Sequence, residues 1–519
     1  MRLTLVRRNL YHDSVALLGL ARELRACPGV TEAAALMATQ ANRELLARAD
    51  LLTPEADAAG PADLLIVVAG TTPEDLGRAG ARAEAFLQAA EPTAAPGGAR
   101  RPRTLAAAVR RLPGANLALI SVPGAHAVAE ARAALALDLH VLLFSDNVAV
   151  ADEVDLKRRA LGRGLLLMGP DCGTAYVAGV PLGFANAVPR GTIGIVSASG
   201  TGLQQVVTLL ARAGHGPSHA LGVGGRDLSA AVGGLMALHA LDVLGRDPAT
   251  DLVMVIGKPP APAVRARVEA AVRELGKPAV LALLGPDARP AHDGGVVTVT
   301  TLEDAALAAP ALLAGRAWRP RAFTLAADEL LERVATARRG LAAGQRAVHG
   351  LYAGGTLAHE AALILAPLLG PVGAEPGGDP AAEHRVVDLG ADTYTVGHAH
   401  PMLDPTARIE AIARAGRDPR VAVLLVDVVL GHGAAPDPAG DLAPAIAAAC
   451  AEARRAGRGL AVVASIVGTD ADPQSLAAQA ARLRAAGAWV LPSNAQAARA
   501  AACVAGGEPV LATLLGRSA

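Results

Sequence analysis

Hydrophobic and polar positions alternate along this chain in two repeating patterns. Short runs of Val, Ile and Leu recur throughout, and they have the length and branching of buried strands. Between these runs, apolar residues return at the spacing of one helix face. Strands that alternate with helices in this way form parallel sheets covered by helices on both faces. The pattern predicts an α/β protein built from several doubly wound parallel-sheet domains.

Breaks in this pattern divide the chain into domains. Residues 89–103 (AAEPTAAPGGARRPR) are rich in Pro, Gly and Arg, which predicts a linker. Residues 318–345 are charged and helical in pattern, which indicates a connector. The predicted units are a small N-terminal α/β domain over residues 1–95, further α/β domains over 104–188, 189–317 and 346–519, and the helical connector over 318–345.

The chain is organised around one strand–turn–helix unit. The apolar run 192–196 predicts a buried strand, the small-residue turn 197–202 follows it, and residues 203–211 have helical spacing. The first N–H groups of such a helix are free and lie at the positive end of its dipole, so the turn predicts a seat for phosphate or carboxylate. A serine N-cap on an ordinary α/β unit explains the same residues. The candidate anion-binding residues are Ser197, Ser199, Gly200 and Thr201.

Three loops that follow predicted strands indicate a ligand cleft in the 104–188 domain. Ligands of parallel sheets bind beyond the carboxyl ends of the strands, where these loops lie. The loops carry Pro123, Ser145 to Asn147, and Pro170 with Asp171 and Cys172. A catalytic thiolate needs a cationic neighbour to lower its pKa, and the sequence shows none beside Cys172. A small buried cysteine is therefore the preferred interpretation of that residue.

Two further strand ends carry candidate anion-binding groups. The segment GVGGRD permits close backbone approach at Gly224 and Gly225, and Arg226 could hold a phosphate or carboxylate with two hydrogen bonds. Lys258 follows the apolar run 252–256, at the predicted carboxyl end of a strand. An ordinary surface lysine explains Lys258 equally well.

Composition excludes several classes of function. Lys and Arg total 48, and Asp and Glu also total 48, so the charge balance does not favour nucleic acid or an anionic membrane as a partner. The four cysteines are far apart, which fits a reducing cytosol and predicts neither a disulfide framework nor a metal site. We expect a cytoplasmic protein, because charged residues interrupt any apolar signal sequence and no apolar run has the length of a membrane span.

The central motifs resemble those of the α subunit of succinyl-CoA synthetase. Over residues 115–285 these are LALISVPG, MGPDCGTA, GTIGIVSASGTG, GVGGRD and DPATDLVMVIG, in the order of that family. Residues 346–519 resemble the C-terminal ligase domain of the β subunit, with Gly390 in its first glycine turn. The resemblance implies a CoA-binding Rossmann-like domain over 104–188 and two flavodoxin-like ligase domains. It implies that Pro123, Ser145, Asn147, Pro170, Asp171 and Cys172 line a CoA cleft, and that Gly390 belongs to the phosphate site.

The chain as a whole is identified as a member of the FdrA family of acyl-CoA-synthetase-like proteins. The segments that resemble this family are ANLALISVPG, HVLLFSDNV, GLLLMGPDCGTA, PLGFANAV, SASGTGLQ, VGGRDLS and GHAHPMLDP. The family implies an enzyme subunit that acts with partner subunits, in a homo- or hetero-oligomer, as an oxamate carbamoyltransferase of allantoin catabolism, with carbamoyl phosphate or another acyl phosphate as substrate. An acyl-CoA synthetase that uses CoA is the alternative, and a non-catalytic CoA-sensing or scaffold protein is the second alternative.

The chain departs from succinyl-CoA synthetase in two respects. It has no room for an ATP-grasp module and no P-loop, so we expect no synthesis of acyl phosphate from ATP by this chain alone. The phosphohistidine motif G-H-A-G-A is degraded to AHDGG around His292, and the better match, GHGA around His432, lies in the β-like half. Either histidine could carry phosphate, because a neutral imidazole is nucleophilic near pH 7, or both could be ordinary loop residues.

A His-x-His pair lies within the last predicted domain, just before Pro401. His398 and His400 could suggest a metal site, but no carboxylate or cysteine completes a ligand set by spacing, so no metal is predicted. His400, Asp404 and Arg408 are instead interpreted as polar groups that line the phosphate site. Asp404 also fits the N-cap of a helix that begins near Pro405.

Overall fold

A computed structural model describes residues 1–10, 12, 14–89, 102–375, 382–395 and 399–516. Most of the predicted linker, residues 90–101, lies outside the described residues, as does His398. The chain divides into two compact units, which are described separately. The first comprises Met1–Pro102 and Tyr394–Asp404, and the second comprises Arg103–Thr393 and Pro405–Ala519.

The first unit contains a three-stranded antiparallel sheet. Its elements are β1 (Arg2–Arg7), α1 (Ser14–Arg25), β2 (Val30–Met37), α2 (Gln40–Arg48), α3 (Pro54–Asp57), β3 (Leu64–Gly70) and α4 (Pro73–Ala89), and the strand order is β1-β3-β2. Alternate residues of the central strand face opposite sides, so both sides of β3 are buried. Ile66 packs with the apolar residues of α1 and α4, and Val67 packs with Leu46 of α2.

The second unit begins with a small parallel sheet of order β4-β5-β6. Its elements are α5 (Leu105–Arg111), β4 (Leu117–Ile120), α6 (Gly124–Ala136), β5 (His140–Leu143), α7 (Val150–Gly162) and β6 (Leu167–Met168). These strands pair in parallel with the crossover helices α6 and α7 between them.

An eight-stranded sheet follows, with order β13-β14-β12-β11-β9-β10-β7-β8. Its elements are β7 (Thr174–Val177), β8 (Val180–Gly183), β9 (Ile193–Ser197), α8 (Gly200–Arg212), β10 (Pro217–Gly222), α9 (Leu235–Arg246), β11 (Leu252–Gly257), α10 (Pro262–Glu274), β12 (Ala279–Leu283), β13 (Ala291–Asp293), β14 (Val296–Thr298) and α11 (Leu302–Leu313). The five central strands are parallel, and antiparallel strands that the sequence pattern did not predict form both edges.

The last sheet has six parallel strands in the order β16-β17-β15-β18-β19-β20. The elements are α12 (Ala327–Arg338), β15 (Ala347–Tyr352), α13 (Gly355–Leu369), β16 (Val372–Glu375), β17 (His384–Asp388), α14 (Asp392–Thr395), α15 (Thr406–Arg417), β18 (Val421–Val429), α16 (Pro438–Arg455), β19 (Ala461–Val467), α17 (Leu476–Ala485), β20 (Ala488–Leu491), α18 (Asn494–Gly506) and α19 (Glu508–Leu514). All nine residues of β18 are buried, as expected for the centre of a sheet covered on both faces.

The predicted fold class is confirmed by these parallel sheets with helices between their strands. The assigned start of α15 is one residue later than predicted, because the helix begins at Thr406 with Pro405 in the N-cap position. Among the helices that the structure describes, none combines the length and the apolar character needed to cross a membrane.

Candidate functional site

Ser199 fixes the first turn of α8. Its hydroxyl accepts a hydrogen bond from the Gly202 N–H at 2.9 Å, so it is the N-cap of the helix. The Ser197 hydroxyl supports the same turn, because it donates to the Ser199 carbonyl at 2.7 Å and accepts from the Ser199 N–H at 3.2 Å. Gly200 is exposed and Thr201 is half-buried. Hydrogen bonds therefore hold the turn at Ser197 and Ser199, whereas Gly200 is accessible to solvent.

The N-terminus of α13 meets the N-terminus of α8. The Ser199 hydroxyl donates to Thr356 Oγ1 at 2.6 Å. A Cβ atom built on Gly354 would lie 3.0 Å from Thr201 Oγ1, so only glycine permits this approach without displacement. We call the place formed by Ser199, Thr201, Gly354 and Thr356 the helix junction. Two positive helix ends converge there, which is the arrangement that favours an anion.

Asp427 holds the turn in front of α13. The carboxylate is fully buried at the end of β18 and accepts hydrogen bonds from the N–H groups of Ala353 at 2.8 Å and Gly354 at 2.9 Å. Arg408 donates to the same carboxylate at 2.9 Å and to the Leu351 carbonyl at 3.0 Å. Arg408 is thus buried behind the turn. Asp427 was not among the residues predicted from the sequence, although a lone carboxylate in the apolar run VAVLLVDVV is a visible signal.

Lys258 and His359 lie beside the helix junction. Lys258 is exposed and follows β11, whose Ile256 pairs with Ser197 at the carboxyl end of β9. His359 stands on α13 three residues after Thr356, which is on the same helix face. Its Nε2 lies 3.0 Å from the carbonyl oxygen of Leu284, just beyond β12. Burial lowers the pKa of His359, the hydrogen bond to Leu284 opposes this in part, and the positive charge of Lys258 adds a smaller lowering.

The two histidines proposed as phosphate carriers lie in different places. His292 is exposed on β13, the outermost strand of its sheet. Four strand spacings separate β13 from β9, which is about 19 Å. The structure therefore does not bring His292 to the helix junction. His432 is exposed in the loop after β18, and its N–H donates to the Ala185 carbonyl at 2.8 Å.

The loops of the predicted CoA cleft converge in the second unit. A Cβ atom on Gly124, next to Pro123, would lie 2.4 Å from the Asp146 carbonyl oxygen. A Cβ atom on Gly224 would lie 2.4 Å from the Pro170 carbonyl oxygen. The Ser145 hydroxyl is buried and donates to the Val122 carbonyl at 2.5 Å. Among the predicted cleft residues, Pro123, Asn147 and Asp171 have exposed side chains. Gly225 also lies at the surface.

Cys172 lies inside the wall of this cleft. It is 2% exposed, and its Sγ lies 3.6 Å from the Thr174 carbonyl oxygen. Burial raises the pKa of the Cys172 thiol to about 12. The side chain is therefore a neutral, buried thiol at physiological pH, which fits the preferred interpretation of this residue.

Arg226 lies at the exposed edge of a buried ionic cluster, with 44% of its side chain accessible to solvent. It donates to the Val148 carbonyl at 2.8 Å, and its guanidinium lies 3.0 Å from the Glu153 carboxylate. Lys157, which is fully buried, donates to Glu153 at 2.7 Å, to Asp227 at 2.8 Å and to the Val223 carbonyl at 2.9 Å. This cluster ties α7 to the GVGGRD turn. The sequence analysis did not single out Lys157.

The remaining candidates belong to two different units. In the second unit, the Gly390 N–H donates to Asp388 at 3.0 Å, and a Cβ atom on Gly355 would lie 2.4 Å from the other oxygen of Asp388. His400 lies in the first unit, where its Nδ1 accepts from the Met402 N–H at 3.2 Å. Among the described residues, no group of three or more His, Cys, Asp or Glu side chains could hold a metal ion.

Comparison with known proteins identifies the family. A model of the CoA-ligase family matches residues 351–504, and a model of the AllF heavy metal-associated domain matches residues 1–103. The YahF protein of Escherichia coli (strain K12) is 40% identical over 503 residues, which cover 94% of this chain and 96% of YahF. The chain belongs to the FdrA family. Its C-terminal domain is accordingly of the CoA-ligase type, as predicted for the ligase fold.

More distant matches extend beyond the FdrA family. The α subunit of the ADP-forming succinate–CoA ligase of Staphylococcus epidermidis is 29% identical over 195 residues, which cover 36% of this chain and 63% of that subunit. A dinucleotide-forming acetyl-coenzyme A synthetase of Ca. Korarchaeum cryptofilum, solved with phosphate and ADP, is 17% identical and has a TM-score of 0.32. The structural alignment covers 81% of this chain and 88% of that one.

Proposed function

We propose that this FdrA protein is a subunit of an enzyme that transfers a carbamoyl or acyl group from an acyl phosphate. The reaction proposed is the oxamate carbamoyltransfer of allantoin catabolism, carried out with partner subunits. The observation that carries the proposal is the helix junction, where the Ser199 and Thr356 hydroxyls lie 2.6 Å apart at two converging helix N-termini. The family membership and the AllF domain match at residues 1–103 support the choice of reaction.

The helix junction suits the phosphate of carbamoyl phosphate. In the proposed reaction the amide nitrogen of oxamate forms a bond to the carbamoyl carbon, the carbon–oxygen bond to phosphate breaks, and phosphate leaves with the electron pair. Negative charge grows on that phosphate oxygen as the bond breaks. Two positive helix ends and the Lys258 ammonium would stabilise the charge without reorganising, because they are fixed before the reaction starts.

The second candidate is acyl-CoA synthesis. The CoA-ligase match at residues 351–504 favours it, and the cleft around Pro123, Asn147 and Asp171 offers exposed groups for CoA. In this proposal residues 104–188 are the CoA-binding domain, residues 189–317 and 346–519 are the two ligase domains, and residues 318–345 connect them. Acyl-CoA synthesis would need a partner subunit to supply the ATP chemistry, and carbamoyl transfer is proposed to need partner subunits as well. We therefore expect the purified chain alone to turn over no substrate.

The test measures how ligands change the melting temperature of the full chain. Carbamoyl phosphate, acetyl phosphate, inorganic phosphate and CoA are compared on the wild type and on the double variant Ser199→Ala/Thr201→Ala. A ligand at about 100 times its dissociation constant adds about 2.7 kcal/mol of stability, which gives a clear shift. We expect carbamoyl phosphate to shift the wild type and not the double variant, because the variant lacks two hydroxyls of the anion site.

The matched control is Ser475→Ala. Ser475 also caps a helix, α17, by accepting from the Ala478 N–H, so its loss costs comparable stability, about 1 kcal/mol, away from the helix junction. Carbamoyl phosphate should raise the melting temperature of this control as much as it raises that of the wild type. If only CoA raises the melting temperature, and does so equally in the double variant, the acyl-CoA candidate is favoured. If carbamoyl phosphate raises the melting temperature equally in all three proteins, the helix junction is not its binding site.

A further inference from the structure

His359 differs from the other candidate histidines in its position. It lies on the same face of α13 as Thr356, whose hydroxyl is bonded to Ser199. The carboxyl ends of β11 and β12 meet this face, because the Leu284 N–H donates to the Gly257 carbonyl at 2.8 Å and the Leu284 carbonyl contacts His359. Lys258 is the next residue after Gly257. One helix turn therefore separates the imidazole from the anion site.

The hydrogen bond to Leu284 fixes the tautomer of His359. A carbonyl oxygen can only accept, so Nε2 carries the proton and donates at 3.0 Å. Nδ1 then holds the free electron pair. Within the described part of the chain Nδ1 has no hydrogen-bond partner, and it is not shut off from solvent. Burial lowers the pKa of the ring by more than the Leu284 hydrogen bond raises it, so the neutral form predominates near neutral pH.

We propose that His359 is a catalytic base of the reaction at the helix junction. The inference rests on the proposed function, since it assumes an acyl phosphate bound there. As the nucleophile attacks the carbonyl carbon, Nδ1 takes the proton of the attacking N–H group. The new nitrogen–carbon bond forms, the carbon–oxygen bond to phosphate breaks, and the electron pair leaves on phosphate. The imidazolium then returns its proton to phosphate or water, so no further reactant is required.

Lys258 complements this role. Its positive charge adds to the larger effect of burial in disfavouring the imidazolium before the reaction. When the phosphate leaves, the same cation faces the negative charge that develops. Glu360, the next residue on α13, is turned away into a fully buried site, where its carboxylate accepts from the Leu302 N–H and from Asn494. Lys258, directly after β11, is the charged group that acts on the pKa of His359.

The test uses the full chain and diethyl pyrocarbonate, which acylates accessible neutral imidazoles. Modification of each histidine is followed by peptide mass spectrometry with and without saturating carbamoyl phosphate. His215 is the internal control, because it follows the far end of α8, about 20 Å from the helix junction. We expect at least a fivefold slower modification of His359 with the ligand and no change at His215.

A second measurement follows turnover of the complete enzyme with its partner subunits. His359→Gln should lower kcat at least a hundredfold while the carbamoyl phosphate shift in melting temperature remains, and His215→Gln should leave both unchanged. A ligand shift without protection of His359, or a His359→Gln enzyme with near wild-type kcat, would overturn the inference alone. A wild type that shows no shift with any acyl phosphate would overturn the proposed function, and the inference with it.

Discussion

At the scale of single residues, the candidate site depends on a hydroxyl group that makes two hydrogen bonds. The Ser199 hydroxyl accepts from Gly202 and donates to Thr356, so one oxygen both caps α8 and joins it to α13. The capping interpretation and the anion-site interpretation of this residue are therefore compatible. A capping hydroxyl leaves the other free N–H groups of the first turn for a ligand.

Cys172 gives a prediction at this scale. Only the thiolate reacts with alkylating agents, and a pKa of about 12 leaves roughly one part in a thousand ionised at pH 9. Iodoacetamide at pH 9 should therefore alkylate the half-buried Cys27 long before Cys172, as measured by peptide mass spectrometry. Equal rates at Cys27 and Cys172 would show that the loop around Cys172 opens, and would contradict its role as a packed side chain.

The residues that could be predicted from the sequence are those whose role depends on their neighbours along the chain. Ser199 follows an apolar strand and precedes a helical pattern, so its place could be predicted from its neighbours alone. Asp427, His359 and Lys157 could not be placed in this way, because their partners are distant along the chain. Asp427 binds Ala353 across 74 residues, His359 binds Leu284 across 75, and Lys157 binds Asp227 across 70. Tertiary packing alone creates these sites.

At the scale of elements, a buried network of hydrogen bonds fixes the position of α13. Glu360 on α13 accepts from the Leu302 N–H at 2.6 Å and from Asn494 at 2.7 Å, so it links α13 to α11 and α18. Asn494 also accepts from the Tyr352 hydroxyl at 3.0 Å, at the end of β15. These contacts fix the axis of α13 and hence the direction of its N-terminus.

Glu360 makes stability depend on pH. Burial raises its pKa to about 7 from an ordinary value of 4.5, so the folded chain binds the proton more tightly than the unfolded chain. The contribution of Glu360 to stability is therefore complete below about pH 4.5 and falls as pH rises to about 7, by at most about 3 kcal/mol.

The variant Glu360→Gln should lose this contribution to the pH dependence. The free energy of unfolding is measured by urea titration at several pH values, and the difference between wild type and variant should change by about 1–3 kcal/mol between pH 5 and 7.5. The matched control is Glu329→Gln on α12, where the carboxylate is exposed. A constant difference between Glu360→Gln and wild type over this range would contradict the buried, protonatable carboxyl.

At the scale of the whole molecule, the second unit contains a small parallel sheet, an eight-stranded sheet and a six-stranded parallel sheet. Their parallel strands follow from the alternation of apolar strands and amphipathic helices, which is why the fold class could be predicted. The antiparallel strands β7, β8 and β13, and the parallel strand β14 beside β13, are short and partly polar, so the apolar pattern did not reveal them. The eight-stranded and six-stranded sheets of the second unit are joined at the helix junction by Ser199 and Thr356.

The proposed site is tested most directly by a structure of the full chain with carbamoyl phosphate bound. We predict that the phosphate lies at the helix junction, within hydrogen-bond distance of Ser199, Thr201 or Thr356, with the carbamoyl group towards His359. A phosphate bound instead in the cleft beside Pro123 and Asn147, with the helix junction unchanged, would contradict the proposed site.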